Sequence, residues 1–307
     1  MKTRKIVLIS VDVILLIVGI VQIILNTRST VKNFIFTETP DQILIEKSDG
    51  NLSIVTEDGK WVINSEKFEA VESNIDSMIE YAQNIKALDK VASLSNAASV
   101  SKYEFDDANA IKVTMKAGEK ELRTFTLGKD GSTGIQCYAT INGSNDIYLV
   151  DGDYRNIFDK TVDQVRSKTV YSVQSVDISS VSVTPVGGET WAVSRSGDAE
   201  NLVWNISGAN ITLDSQKAAD WLNSFNALTT TKWHGKTDDI GGEPYIAVQI
   251  GTTTGVISVE TYIVPADPEN QGSSNLYYAK CNKSPYWFEI PSYNMSKFQK
   301  IPEDLQK

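Results

Sequence analysis

The chain carries one residue pattern twice, and this duplication constrains its fold more than any other feature. At a shift of 143 positions Trp61 falls on Trp204, and the apolar face of one predicted helix falls on that of another without a gap. The five residues Ile75, Met78, Ile79, Ala82 and Ile85 then match Ala218, Trp221, Leu222, Phe225 and Leu228. At a shift of 140, Tyr138, Tyr148 and Phe158 match Tyr278, Phe288 and Phe298. Two independent gapless blocks indicate two homologous units.

Each unit shows short strand signals, then one amphipathic helix, then two hairpins. Apolar residues at three- and four-residue spacing predict a helix near 67–86, and Asp214 is placed to cap the second helix. Asn142-Gly143 predicts a tight hairpin turn between the strands 136–141 and 146–150. The predicted fold class is α+β: an N-terminal transmembrane helix, then two tandem homologous units, each of antiparallel strands packed with a helix. The units are either two domains or two halves that share one core.

The predicted boundaries divide the chain into six parts. They are a cytoplasmic tail (1–5), a transmembrane signal anchor (6–25), a tether (26–38), a first unit (39–168), a second and more divergent unit (169–303) and a tail (304–307).

The anchor is predicted from an apolar run of twenty residues that follows Lys2, Arg4 and Lys5. A helix of that length spans about 30 Å, the hydrocarbon thickness of a bilayer. A cleaved signal peptide has a shorter apolar core and a small-residue cleavage site, so we predict an uncleaved single-pass anchor. The basic residues favour a cytoplasmic N-terminus, which places the bulk of the chain outside the cytoplasm in a cell membrane.

Two polar residues in the apolar run are candidate partner contacts. Asp12 is costly in lipid. It either shares water near the inner interface or contacts a partner transmembrane helix, where Gln22 could add a second polar contact.

Composition excludes several classes of function. The chain has 29 basic and 39 acidic residues, and a net charge of −10 argues against binding nucleic acid or anionic lipid headgroups. Cys137 and Cys281 pair in an oxidising compartment only if their strands are neighbours, and are otherwise two buried free thiols. With one histidine, no zinc cluster is visible. We predict no metal and no cofactor.

Short catalytic motifs are incomplete in this chain. Gly235-Lys236-Thr237 looks like the end of a phosphate loop, but Thr230 stands where that loop needs its first glycine, which argues against a nucleotide site. Ser99 and Lys102 have the Ser-x-x-Lys spacing of penicillin-binding enzymes, but the other sequence elements that those enzymes need do not accompany it. Asp106-Asp107 and Asp151-Gly152-Asp153 lack a spaced calcium loop and are interpreted as turn and cap residues. We predict no catalytic residue.

The remaining candidates lie in the second unit. Trp233, Tyr245, Tyr286 and Trp287 either pack internally or line a groove for a peptide, a glycan or a partner protein. The acidic, glycine-rich stretch 238–242 is interpreted as an exposed loop available to a partner. The candidate partner contacts of the whole chain are therefore Asp12, Gln22, Trp233, Asp238, Asp239, Tyr286 and Trp287.

Several short motifs resemble the DUF4340 family. They are Gly59-Lys60-Trp61, Tyr103-Glu104-Phe105-Asp106-Asp107-Ala108, Leu127-Gly128, Tyr148-Leu149-Val150 and Arg166-Ser167-Lys168. Glu104 and Ala108 depart from the family's usual glycine and proline, so the turn there is expected to differ. The resemblance implies membrane-anchored proteins without assigned catalytic residues. Some are encoded beside ABC-type export or gliding-type transport systems.

We therefore predict a single-pass, membrane-anchored, extracytoplasmic binding or accessory protein without catalytic activity. The expected partner is a membrane protein, with an auxiliary role in an ABC-type transport system as the best analogy. The alternatives are an envelope hydrolase that uses carboxylates, or a ligand-sensing module.

Overall fold

The computed structural model describes residues 13–20, 31–197, 201–238, 240, 243–266, 272 and 274–307. The chain divides into two compact units, Met1–Ser167 and Lys168–Lys307. Both are α+β, with antiparallel sheet as the main element and short helices beside it. Each unit has its own cluster of buried apolar side chains.

The predicted membrane anchor lies mostly outside the described residues, and so do Asp12 and Gln22. Residues 13–20 are helical (α1), and their side chains are largely exposed. Among the helices that the structure describes, none is both long and apolar enough to cross a bilayer.

A ten-stranded sheet forms the centre of the first unit. Its strands are β1 (Lys32–Ile35), β2 (Gln42–Glu46), β3 (Leu52–Glu57), β4 (Lys60–Ile63), β5 (Phe68–Glu69), β6 (Asn84–Ser93), β7 (Ile111–Ala117), β8 (Lys120–Asp130), β9 (Gln136–Ile141) and β10 (Asp146–Asp151). They pair in the order β1-β6-β10-β9-β8-β7-β2-β3-β4-β5, always antiparallel. The predicted hairpin turn at Asn142-Gly143, between β9 and β10, is confirmed.

The helices of the first unit are α2 (Glu72–Gln83), α3 (Ala97–Tyr103), α4 (Tyr154–Phe158) and α5 (Val162–Val165). Ile75, Met78 and Ala82 bury the apolar face of α2 against the core. The helix predicted over 67–86 was too long, because Ile85 lies on β6. Strand residues two apart also face one side, so Ile85 and Ala87 are both fully buried without being helical.

Two parts of the first unit contain elements that the sequence did not predict. The segment 26–38, predicted as a tether, contains β1, which pairs with β6. The chain between α2 and Glu104 forms β6 and α3, and Asn96 caps α3 by accepting a hydrogen bond from the Ala98 amide. Both strands depend on long-range pairing, which local residue patterns do not reveal.

The second unit contains a seven-stranded sheet and a separate strand pair. Its strands are β11 (Thr169–Ser172), β12 (Ile178–Pro185), β13 (Trp191–Ser196), β14 (Val203–Ser207), β15 (Ala227–Thr229), β16 (Ile246–Thr252), β17 (Gly255–Val264), β18 (Leu276–Cys281) and β19 (Ser284–Glu289). The large sheet has the order β14-β13-β12-β16-β17-β18-β19, and β11 pairs with β15. Its helices are α6 (Ser215–Asn223) and α7 (Ser292–Phe298), with 3-10 turns at Ser175–Asp177 and Pro302–Leu305.

Helix α6 begins where the sequence predicts. The Asp214 carboxylate accepts hydrogen bonds from the backbone amides of Gln216 and Lys217, at 2.9 and 3.1 Å. The helix ends at Asn223, so the prediction that Leu228 belongs to its apolar face was wrong. Leu228 lies on β15, and its burial comes from strand geometry.

The two cysteines are free thiols and both are buried, Cys137 on β9 and Cys281 on β18. Burial raises the pKa of Cys137 to about 12 and also raises the pKa of Cys281. Neither thiol is therefore ionised near neutral pH, which makes both poor nucleophiles.

Lys297 on α7 places its ammonium group at the end of α6. Its Nζ donates to the carbonyl oxygens of Ser224 and Ala227, at 2.7 and 3.0 Å, and lies 5.1 Å from the centre of the Phe225 ring. Burial lowers the pKa of Lys297 from 10.5 to about 8.

The unfolding free energy is expected to rise with pH between about 8 and 10.5, because the folded chain binds fewer protons at Lys297 than the unfolded chain does. The rise is at most about 3 kcal/mol, from about 1.4 kcal/mol per unit of pKa. Lys297→Met should abolish it. Urea unfolding of both proteins at several pH values measures the difference, and parallel pH profiles would contradict the assignment.

Candidate functional site

The residues that could bind a partner gather on the outer face of the second unit's sheet, at the β17–β19 edge. On these strands Val259, Ala279 and Phe288 point into the core. Since side chains alternate along a strand, their neighbours point to the opposite face. We call this face the aromatic face and define it by Glu260, Tyr262, Tyr278, Lys280, Trp287, Glu289 and His234.

A short segment extends the sheet beyond β19. Trp233 forms an antiparallel bridge with Phe288. The His234 amide donates to the carbonyl oxygen of Trp287 at 2.8 Å, and the Glu289 amide donates to that of Lys232 at 2.9 Å. The buried Thr230 hydroxyl holds the start of this segment, since it lies 2.8 Å from both the Lys232 and the Glu289 carbonyl oxygens. The backbone therefore fixes His234 beside β19.

His234 is half-buried between two carboxylates and an aromatic ring. Its Nε2 lies 2.8 Å from Glu289 Oε1, and its Nδ1 lies 3.9 Å from Asp238 Oδ2. The Tyr278 ring meets it edge-on, with centroids 5.3 Å apart. The structure thus gives this histidine a specific hydrogen-bond partner, Glu289.

The loop that begins at Gly235 is closed by the carboxylate of Asp238, a residue of the same loop. The Gly235 amide donates to Asp238 Oδ2 at 2.7 Å. A phosphate loop needs its backbone amides free for the ligand. At Gly235 the amide is instead engaged by a side chain of the same loop. Asp239 lies outside the described residues.

Trp287 is the centre of the aromatic face, although it is only 3% exposed. The Tyr262 ring packs against it with centroids 4.8 Å apart, and Lys280 Nζ lies 4.0 Å from its ring centre. The Tyr262 hydroxyl donates to Glu260 Oε2 at 3.0 Å. Burial, and then that hydrogen bond, raises the pKa of Tyr262 to about 12, so it stays a neutral donor.

A pocket of about 380 Å³ opens beside Trp287. Two lysines and one glutamate line it, Lys236, Lys280 and Glu260. Its neutral hydrogen-bonding side chains are Ser258, Asn282 and Ser284. Lys236 Nζ lies 4.9 Å from the centre of the Tyr286 ring. Within the described part of the chain, neither lysine forms an ion pair, although the chain is acidic overall. The pocket thus offers two cations held over aromatic rings, beside one carboxylate, that of Glu260.

The structure brings four of the predicted partner contacts to this edge. Trp233 and Tyr286 meet edge-on with centroids 6.5 Å apart, and Trp287 and Asp238 reach the same region through His234. Tyr245, grouped with them in the sequence, lies instead in an apolar pocket of about 310 Å³ with Trp191 and Phe298.

The sequence did not single out Tyr262, Lys280 or Glu289. They occupy alternate positions of strands that the sequence predicted, so strand periodicity was the available signal. It says which residues share a face of one strand, but not which strands are neighbours.

A family model described as "Domain of unknown function (DUF4340)" matches residues 61–245, more than half of the chain. The chain belongs to this family. No curated protein and no solved structure matches it.

The DUF4340 match begins at Trp61 and extends into the second unit as far as Tyr245. Within it, Glu104 replaces the glycine of the family pattern. Its backbone is left-handed, with φ 59° and ψ 50°, a conformation that favours glycine at a helix C-terminus. The turn therefore keeps the geometry that a glycine suits, despite the substitution.

The other weak motifs of the DUF4340 chain have structural roles. Ser99 is buried on α3, and Lys102 lies over the Tyr103 ring at 5.1 Å. Asp106 accepts hydrogen bonds within its own turn, and Asp153 caps α4. Asp151 pairs with Lys86 at 2.9 Å. No group of three or more His, Cys, Asp or Glu side chains suited to a metal occurs among the described residues.

Proposed function

We propose that the protein is a single-pass, membrane-anchored, extracytoplasmic binding module that docks a membrane-protein partner through the aromatic face of its second unit. The observation that carries the proposal is the pocket at the margin of this face, which Lys280 and Lys236 line. Lys280 Nζ lies over the Trp287 ring and Lys236 Nζ over the Tyr286 ring. Exposed cations over aromatic rings are common in recognition surfaces.

The chemistry of the pocket indicates an acidic, polar segment as the bound part of the partner. Carboxylates of such a segment would neutralise Lys236 and Lys280, and the Ser258 and Ser284 hydroxyls could bond its backbone. Binding an acidic segment of a membrane protein in this way would suit an auxiliary component of an ABC-type transport system.

The membrane anchor belongs to the same proposal. It is supported by the apolar run 6–25 with basic residues before it. An anchor holds the second unit near other membrane proteins and so raises the effective concentration of the partner.

We further propose that the two units are homologous. The shift of 143 residues supports this, and so does strand order. In the first unit the order β10-β9-β8-β7-β2-β3-β4 follows β6, and in the second the order is β19-β18-β17-β16-β12-β13-β14. Reading along the chain, these strands correspond one to one. The pair β1-β6 corresponds to β11-β15 in the same way.

Charge reversal at the pocket tests the binding function. The full chain, solubilised in mild detergent from membranes of the cells that express it, should co-purify with a membrane protein. Lys236→Glu combined with Lys280→Glu should reduce that recovery at least ten-fold, because a carboxylate would then face the partner's acidic segment. Quantitative mass spectrometry of the purified complexes measures the loss.

Lys102→Glu is the matched control, since Lys102 is also an exposed lysine over an aromatic ring, but in the first unit. It should leave recovery unchanged. Equal recovery with both variants would reject the aromatic face as the docking site. A chain found wholly in the soluble fraction after lysis would reject the anchor.

A further inference from the structure

Strand β14 is an open edge of the second unit's sheet. It is the terminal strand, and β13 is the only strand that pairs with it in the described part of the chain. Val203 is 53% exposed, and Asn205 and Ser207 are exposed as well. Its outer backbone groups thus form a template for another strand.

Nothing in the residues of this edge protects it from pairing. The stretch 202–207 contains no charged residue and no proline. Natural sheet edges usually carry such residues or are covered. In the first unit β5 covers β4, and ion pairs surround that edge, Lys60 with Glu69 at 3.2 Å and Lys67 with Glu57 at 2.7 Å. The contrast indicates that β14 is an interaction surface.

The residues of β14 complement a second copy of themselves. In an antiparallel pair centred on Asn205, Trp204 lies opposite Ile206 of the other copy, and Ile206 lies opposite its Trp204. Both side chains are half-buried and pack against the core of the unit. A cross-strand pair of an aromatic and a β-branched residue is favourable. Because the strand is uncharged, the symmetric pairing brings no like charges together.

We propose that two copies of the chain dimerise by pairing their β14 strands antiparallel about a two-fold axis at Asn205. The two seven-stranded sheets then form one continuous sheet, and the apolar face continues across the junction. A symmetric pair uses the same surface on both copies and closes the open edge completely. The dimer does not depend on the aromatic face, so either proposal can fail without the other.

Cysteine cross-linking of the full chain in nonionic detergent tests the register. At the axis, the two Asn205 Cα atoms would be about 4.5–5.5 Å apart, which a disulfide can span. Asn205→Cys should form a covalent dimer under mild oxidation at least ten-fold faster than Val203→Cys. In the same register, two Val203→Cys positions would lie roughly 14 Å apart along the strands. Cys137 and Cys281 are buried, so the unmodified chain is the background control.

Two cross-linking results would overturn the proposal. One is equal cross-linking of Asn205→Cys and Val203→Cys, which would mean a different register or random collision. The other is absence of cross-linking by Asn205→Cys.

Sedimentation analysis gives a second measurement, in which Asn205→Lys should weaken the dimer at least ten-fold. A circular dichroism spectrum like that of the unmodified chain shows that this variant folds, and a dimer of undiminished strength would then reject the interface.

Discussion

Phe298→Ala is expected to destabilise the second unit by about 3–5 kcal/mol, the usual cost of removing a buried phenylalanine ring. Phe298 is fully buried at the end of α7, and its ring meets Phe225 edge-on with centroids 5.5 Å apart. Phe225 in turn contacts Trp221, which stacks on Trp191 at 4.9 Å. Removal of the ring therefore leaves a cavity beneath the helix that closes this unit.

Urea unfolding followed by tryptophan fluorescence measures this loss. The signal reports mainly on the second unit, which holds every tryptophan except Trp61. Tyr293→Ala on the same helix is the control, because Tyr293 is 73% exposed and should change stability by less than about 0.5 kcal/mol. Similar transitions for Phe298→Ala and Tyr293→Ala would contradict the assigned core.

Gly128→Ala is expected to destabilise the first unit by about 3 kcal/mol, the upper end of the usual cost of overpacking. A Cβ at this position would overlap the carbonyl oxygen of Tyr103 and lie 2.7 Å from Cε2 of Phe105. Backbone atoms cannot move aside cheaply. The Gly128 carbonyl also accepts a hydrogen bond from Arg155 Nη1 at 2.8 Å, so a shift of β8 would break that contact.

Gly118→Ala is the control for Gly128→Ala, because it changes the cost of the backbone conformation without a steric overlap. Gly118 has φ of +58° in the β7–β8 turn, and nothing lies within 4 Å of a Cβ built there. Its substitution should cost about 1 kcal/mol through the left-handed conformation alone. Hydrogen exchange read by mass spectrometry should show faster exchange of β8 and α3 in Gly128→Ala. If Gly118→Ala were equally damaging, the close approach at Gly128 would not be the cause.

Gly128 also gives a physical reason for one motif of the DUF4340 resemblance. In the sequence, only the two residue types of Leu127-Gly128 match the family pattern, and they suggest no role. In the structure Leu127 is fully buried, and Gly128 lets β8 approach the turn after α3. The motif is therefore a packing requirement of the fold, and it carries no catalytic group.

Local residue patterns were sufficient to predict the hairpins, the Asp214 cap and the buried faces of α2 and α6. Each of these depends on residues a few positions apart, whose turn geometry or helical spacing is visible in the sequence. Strand β6 was missed, and Ile85 and Leu228 were assigned to helices. Their apolar spacing continues from the helix into a strand, and a helical and a strand period cannot be separated over so few residues.

The candidate site, too, was predictable from local residue patterns only in part. Trp233, Asp238, Tyr286 and Trp287 were noticed because aromatic and acidic residues cluster in that part of the sequence. Nothing local connects Trp287 with Tyr262 or Lys280, because their contact needs β17, β18 and β19 to be neighbours in one sheet.

Turns, caps and apolar faces follow from residues that are close in the chain, and so the sequence alone is enough to assign the α+β class. The strand order, the open edge at β14 and the cations over Trp287 and Tyr286 depend on residues far apart in the chain. Backbone hydrogen bonds between strands involve the same groups whatever the side chains are, so they do not specify which strands pair. Which strands meet is therefore decided by how the whole unit buries its apolar side chains.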